Sequence, residues 1–107
     1  MTQEKISNLK ISLLISLVEA QKHKEEDDGG TCNFDSPVLV LPSEWKESDV
    51  RKAFENTGLR YEKMSENSYE IFGATEGQAL RRTIMAMAFR DSLTKQGYIA
   101  RVHYVMD

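Results

Sequence analysis

From Thr2 to about His23 the chain carries neither proline nor glycine, and Ile6, Leu9, Leu13, Leu17 and Ala20 recur at helical spacing along one stripe. This predicts a helix of about six turns. Ile11, Leu14 or Ile15, and Val18 form a second stripe on another side. Together the stripes cover more apolar arc than one small fold hides, so this helix is expected to dock on another copy of the chain and make a homo-oligomer. Lys22 to Asp28, KHKEEDD, reads as a solvated helix end running into a Gly29-Gly30 hinge.

Past the hinge the punctuation is regular. Val38–Leu41 is a short apolar run between Pro37 and Pro42 and predicts a buried strand. Ser48 is read as the cap of a helix that carries Asp49, Val50, Ala53 and Phe54 and stops at Gly58. Leu59–Met64 and Ser68–Phe72 flank a Ser-Glu-Asn turn as a hairpin, and Gln78–Gln96 is a long helix with Leu80, Ile84, Met87 and Phe89 or Leu93 as its stripe. Tyr98–Met106 alternates as a last strand. With Tyr98, Ala100, Val102 and Tyr104 facing the helices, Arg101 and His103 point to the opposite face, where the N-terminal helix or a partner is expected.

The expected fold is therefore α+β. A long N-terminal helix precedes a β-α-β-β-α-β, ferredoxin-like unit with an antiparallel sheet and two helices on one face. All 107 residues fit a single domain: a helical part over 1–28, a loop over 29–37 and an α+β core over 38–107.

Composition narrows the function. A net charge of −3 leaves no broad basic footprint, so duplex nucleic acid is not an expected partner. The single cysteine, Cys32, offers no internal disulfide, and Met1 leads into polar TQEK rather than a secretory leader. The longest apolar-rich stretch, Ile11–Val18, is interrupted by two serines and falls far short of the roughly 20 residues that span a bilayer. A reducing cytoplasm and no membrane segment are expected.

Candidate chemistry gathers in three places. The loop Phe72–Gln78 enters a helix that soon presents Arg81 and Arg82, a setting for an anion. It lacks the Walker lysine and spacing, and Glu76 opposes a phosphate, so a flexible turn with Thr75 capping the helix and two solvated arginines is the better account of it. In the segment GGTCNFDSP, Thr31, Cys32, Asn33 and Asp35 supply donors and acceptors for a nucleobase or ribose edge. As a plain loop the same residues make turns, with the Phe34 ring buried as an anchor. Arg101, His103 and Tyr104, with Arg81, Arg82, Tyr69 and Phe72, offer cations and rings that could hold a nucleotide, although the aromatic signature of an RNA-recognition motif is absent. Cys32, His103 and an aspartate would be needed for a thiol hydrolase, and nothing in the spacing brings them together. Cys32, His23 and His103 have no metal-ligand spacing, and no enzyme or cofactor signature is found.

The segments GGTCNFDSPVL at Gly29–Leu39, GQALRRTIMA at Gly77–Ala86 and GYIARVHYVMD at Gly97–Asp107 resemble a group of small proteins carried by phages and mobile elements of bacteria. The resemblance implies an accessory protein acting in the host cytoplasm, of a class that includes inhibitors of CRISPR effectors and sponges for nucleotide signals. It assigns no catalytic residue. The resulting expectation is a non-enzymatic binding protein that counteracts host immunity by sequestering a nucleotide signal at or near a subunit interface, through Thr31, Asn33, Asp35, Arg81, Arg82, Arg101 and His103. The alternative is a protein-protein inhibitor that covers a host defence effector or nuclease with the acidic run Glu25–Asp28.

Overall fold

A computed structural model describes residues 1–25, 34–76 and 79–105, the last range without the side chain of residue 79. The first helix, α1, spans Gln3–Gln21, and the Thr2 hydroxyl caps it by accepting from the Lys5 N–H at 3.2 Å. Ile6, Leu9, Leu13 and Ala20 of the first stripe are buried and Leu17 is half-buried, whereas Ile11, Leu14, Ile15 and Val18 are exposed. Both stripes therefore exist as separate faces.

β1 (Ser36–Val40), α2 (Glu47–Phe54), β2 (Arg60–Ser65), β3 (Ser68–Phe72), α3 (Ala79–Lys95) and β4 (Ile99–His103) follow in order. The sheet runs β2-β3-β1-β4, and every neighbouring pair is antiparallel. Two interleaved β-α-β units generate this order, because β3 slots between β1 and β2 while β1 lies between β3 and β4. The fold is α+β.

Register decides which side chains share a face. Leu39 lies opposite both Tyr69 and Ala100, and Tyr61 lies opposite Ile71. These residues face the helices and join the core with Leu9 and Leu13 of α1, Phe54 of α2 and Phe89 of α3. Tyr61 packs between Phe54, at 4.8 Å between ring centroids, and Tyr69, at 5.8 Å.

The position of α1 departs from expectation. It packs on α3 and α2, on the helical side of the sheet, and not on the face that carries Arg101 and His103. The Ser16 hydroxyl donates to Ser92 Oγ at 2.8 Å inside the α1–α3 contact. Two neighbouring helices already offer an apolar trough for the Ile6–Leu13 stripe, whereas the other sheet face presents Glu62, Glu70 and Arg101.

Several boundaries also shift. β1 begins at Ser36, so Pro37 lies within it, where β3 pairing has not yet started; the first β1–β3 pair is Val38 with Glu70. α2 is capped at Lys46 rather than Ser48, because the Asp49 carboxylate accepts from the Lys46 N–H at 3.0 Å. In α3 the buried set is Met85, Ala86, Phe89 and Leu93, while Leu80 and Met87 of the expected stripe are exposed. β4 stops at His103; beyond it the Val105 carbonyl still accepts from the Phe34 N–H in the β1–β4 register, but the Val105 N–H goes to the Asp35 carboxylate instead of a backbone carbonyl.

Candidate ligand-binding site at the end of the sheet

The sheet face turned away from the helices carries Ser36 and Val38 of β1, Glu70 and Phe72 of β3, Arg60 of β2, and Arg101 and His103 of β4. The central positions of this face, Val38 and Glu70, are not aromatic. A base cannot stack there as it does on an RNA-recognition sheet.

At the end where β1 begins and β3 finishes, Phe34, Ser36, Arg60, Phe72, Gly73, Thr75 and Arg82 line a hollow of about 370 Å³. That volume lies within the range of roughly 300–1,000 Å³ usual for small-molecule sites. Each element delivers its side chain for a local reason. Strand alternation puts Arg60 beside its cross-strand partner Phe72, and Gly73 at φ +97° turns the chain sharply out of β3 toward α3. Arg82, near the start of α3, lies 5.8 Å from the centroid of the Phe34 ring. The Phe34 ring is 52% exposed, so it does not anchor the loop by burial as expected; its backbone does so, through a 2.7 Å bond from its N–H to the Val105 carbonyl.

Asp35 is a clamp, not a ligand contact. Its side chain is buried, with Oδ2 accepting from Thr83 Oγ1 at 2.5 Å and Oδ1 from the Val105 N–H at 2.9 Å. Both oxygens are committed to holding β1, α3 and the segment after β4 together. Thr31, Asn33 and Cys32 lie outside the described residues. Of the remaining expected site residues, Arg82 lines the hollow, while Arg81 is half-buried in the same turn of α3. Arg101 and His103 lie alongside on the open face, where His103 pairs with Ser36 in the β1–β4 register.

Beside the hollow, Glu70 Oε2 accepts from both the Ser36 hydroxyl and His103 Nδ1, the latter at 2.9 Å. Burial pushes the Glu70 carboxyl up, but the bonds from Ser36 and His103, with the charges of His103 and Arg101, outweigh it and hold it below the ordinary value. The carboxylate sits at the centre of this trio. The serine proton therefore points at an acid anion and no imidazole nitrogen meets Ser36 Oγ, which is the reverse of a nucleophile–base pair.

Three other hollows differ in character. One of about 430 Å³ between α1 and α3 mixes Glu19 and Asp91 with Lys95, one of about 300 Å³ near Trp45 and Tyr98 opposes Lys5 with Glu44, and one of about 370 Å³, which shares Arg60 and Phe72 with the recess, adds Glu62. Among the described residues, only the sheet-end hollow of these gathers two guanidinium groups with no carboxylate in its lining. Arg60, Phe34, Ser36 and Thr75 were not among the expected site residues. A strand position between alternating charges gave Arg60 no distinguishing signal.

Fold and site together define a small α+β domain with an open sheet face and a cationic recess, flanked by two phenyl rings, at one end. No protein-family model, curated protein or solved structure matches the chain. Among the described residues no helix is long and apolar enough to cross a membrane, and no cluster of three His, Cys, Asp or Glu side chains is placed to hold a metal ion.

Proposed function

We propose that the protein is a non-enzymatic binding protein that captures a nucleotide in the sheet-end recess. One observation carries this reading: Arg60, Arg82, Phe34 and Phe72 converge on a single hollow whose lining, among the described residues, has hydroxyls and no carboxylate. Guanidinium groups recognise phosphate oxygens by paired hydrogen bonds, and a half-exposed phenyl ring offers a face to a base. Holding a nucleotide signal without turning it over is also the action expected of a phage-borne counter-defence protein, the class to which the quoted segments bear a resemblance.

The test is titration calorimetry against a panel of mono-, di- and cyclic nucleotides, with nucleosides as controls. Binding of at least one phosphorylated member is expected. Loss of affinity by about tenfold or more should follow Arg82→Ala or Arg60→Ala, the size of one lost charge-assisted contact. Heat release should return the ligand chemically unchanged. Absence of binding across the panel sinks the proposal, and recovery of a cleaved ligand replaces it with an enzyme.

A further inference from the structure

The exposed stripe of α1 inverts the usual arrangement of a surface helix. Ser12 and Ser16 are buried, while Ile11, Leu14, Ile15 and Val18 are 39–58% exposed. A helix that served only its own domain would gain by the opposite choice, since each aliphatic side chain left in water forfeits transfer free energy. The four residues are contiguous at i, i+3, i+4 and i+7, so they form one ridge rather than scattered singles.

We infer that this ridge is a self-association surface, on which a second copy packs its own α1 antiparallel about a two-fold axis between Leu14 and Ile15. The pattern reads alike from both ends. Reversal about the midpoint of residues 14 and 15 sets Ile11 on the partner's Val18 and Leu14 on the partner's Ile15. The polar pair Ser7 and Asn8 then falls on the partner's Lys22 and Gln21. Two-fold interfaces require this kind of self-complementarity. Charge beside the ridge selects the same direction: the reversal sets Lys10 of each copy against Glu19 of the other, whereas a parallel pair would align Lys10 with Lys10 and Glu19 with Glu19.

A bilayer surface fits less well, because the ridge is flanked by Glu4 and Glu19 as well as by Lys10 and Lys22, and a membrane-lying helix favours a predominantly basic rim. The neighbouring groove between α1 and α3, which Ile15 and Ala88 line together with Glu19, Asp91 and Lys95, adds a mixed-charge rim of the sort that surrounds protein interfaces. One helix ridge is narrower than the roughly 800 Å² per partner of a tight complex, so a dimer of micromolar strength is expected.

Sedimentation velocity of the full chain across the micromolar range should show a concentration-dependent shift from the single to the doubled mass. Ile15→Glu and, independently, Val18→Lys should stay at the single mass while keeping the far-ultraviolet dichroism of the parent. Direction is read by cross-linking in a Cys32→Ser background. Mixing Ile11→Cys protein with Val18→Cys protein should give a disulfide-linked pair, and either alone much less. A parent that stays monomeric throughout overturns the inference, as does cross-linking of Ile11→Cys protein with itself in preference to the mixture. Ridge-dependent co-sedimentation of a monomer with anionic vesicles would assign the ridge to a membrane and overturn it too. The ridge and the recess share no residue, so loss of the dimer with nucleotide binding intact would leave the proposed function standing.

Discussion

Ser16 of α1 and Ser92 of α3 share a 2.8 Å hydrogen bond with both side chains buried, and Gln96 Nε2 donates to the same Ser92 oxygen at 3.1 Å. This short chain of hydroxyl and amide fixes the register of two helices whose apolar residues would otherwise tolerate sliding. Ser92→Ala should lower stability by about 1–3 kcal/mol, because it leaves the Ser16 hydroxyl buried without its partner. Ser16→Ala should cost less, since Gln96 still satisfies Ser92. In urea titrations the double variant should lose less than the sum of the two.

The Asp35 clamp predicts a larger effect than its loop-edge position suggests. Asp35→Ala removes an acceptor from Thr83 and from the Val105 N–H at once. A loss of about 1–3 kcal/mol is expected from removing two part-buried hydrogen bonds to one buried carboxylate. Hydrogen exchange at Val105 should accelerate well beyond the global change.

Glu70 has a folded-state acidity stronger than that of a free glutamate, owing to Ser36, His103 and Arg101 acting against burial. A carboxyl whose value is depressed by folding contributes stability that is present above its unfolded value, near pH 4.3, and is lost as pH falls through the folded one. Glu70→Gln should therefore be less stable than the parent at neutral pH, with the gap closing below about pH 4 as the parent's own carboxyl takes up its proton. A gap that stays constant well below that pH would contradict the assigned hydrogen bonds.

Gly73 and Gly58 both have positive φ, at +97° and +80°, but only at Gly73 would a Cβ meet backbone, 3.2 Å from the Gly58 carbonyl oxygen. Gly58→Ala should cost about 1 kcal/mol from conformation alone. Gly73→Ala should cost more and displace the chain that lines the recess, lowering nucleotide affinity as well as melting temperature.

The faces of α1 were legible in the sequence because its two stripes are separated by serines and charges that give the period a clear phase. In α3 the run Ile84 to Phe89 is apolar at every position, so periodicity found Phe89 and Leu93 but could not choose Met85 and Ala86 over Leu80 and Met87. Packing against α1 and the sheet chose. A stripe also says which side of a helix is buried without saying against what, which is why α1 was expected on the wrong side of the sheet. Arg82 was visible beside a glycine-rich turn. Arg60 and Phe34 reach the recess only through β2–β3 pairing and the Phe34–Val105 bond, whose partners are remote in the chain. Asp35 was misread for the same reason: Thr83 and Val105 lie 48 and 70 residues away.

The order of strands bears on how the chain comes together. β1 is flanked by β3 on one side and by β4 on the other, so Ser36–Val40 cannot complete its ladder until residues 99–103 exist to pair with it. During synthesis one border of the central strand stays bare until residues 99–103 have left the ribosome. Ribosome-stalled chains that keep those residues inside the exit tunnel should accordingly be protease-sensitive and dependent on chaperones, and their emergence should convert the chain abruptly to a resistant form.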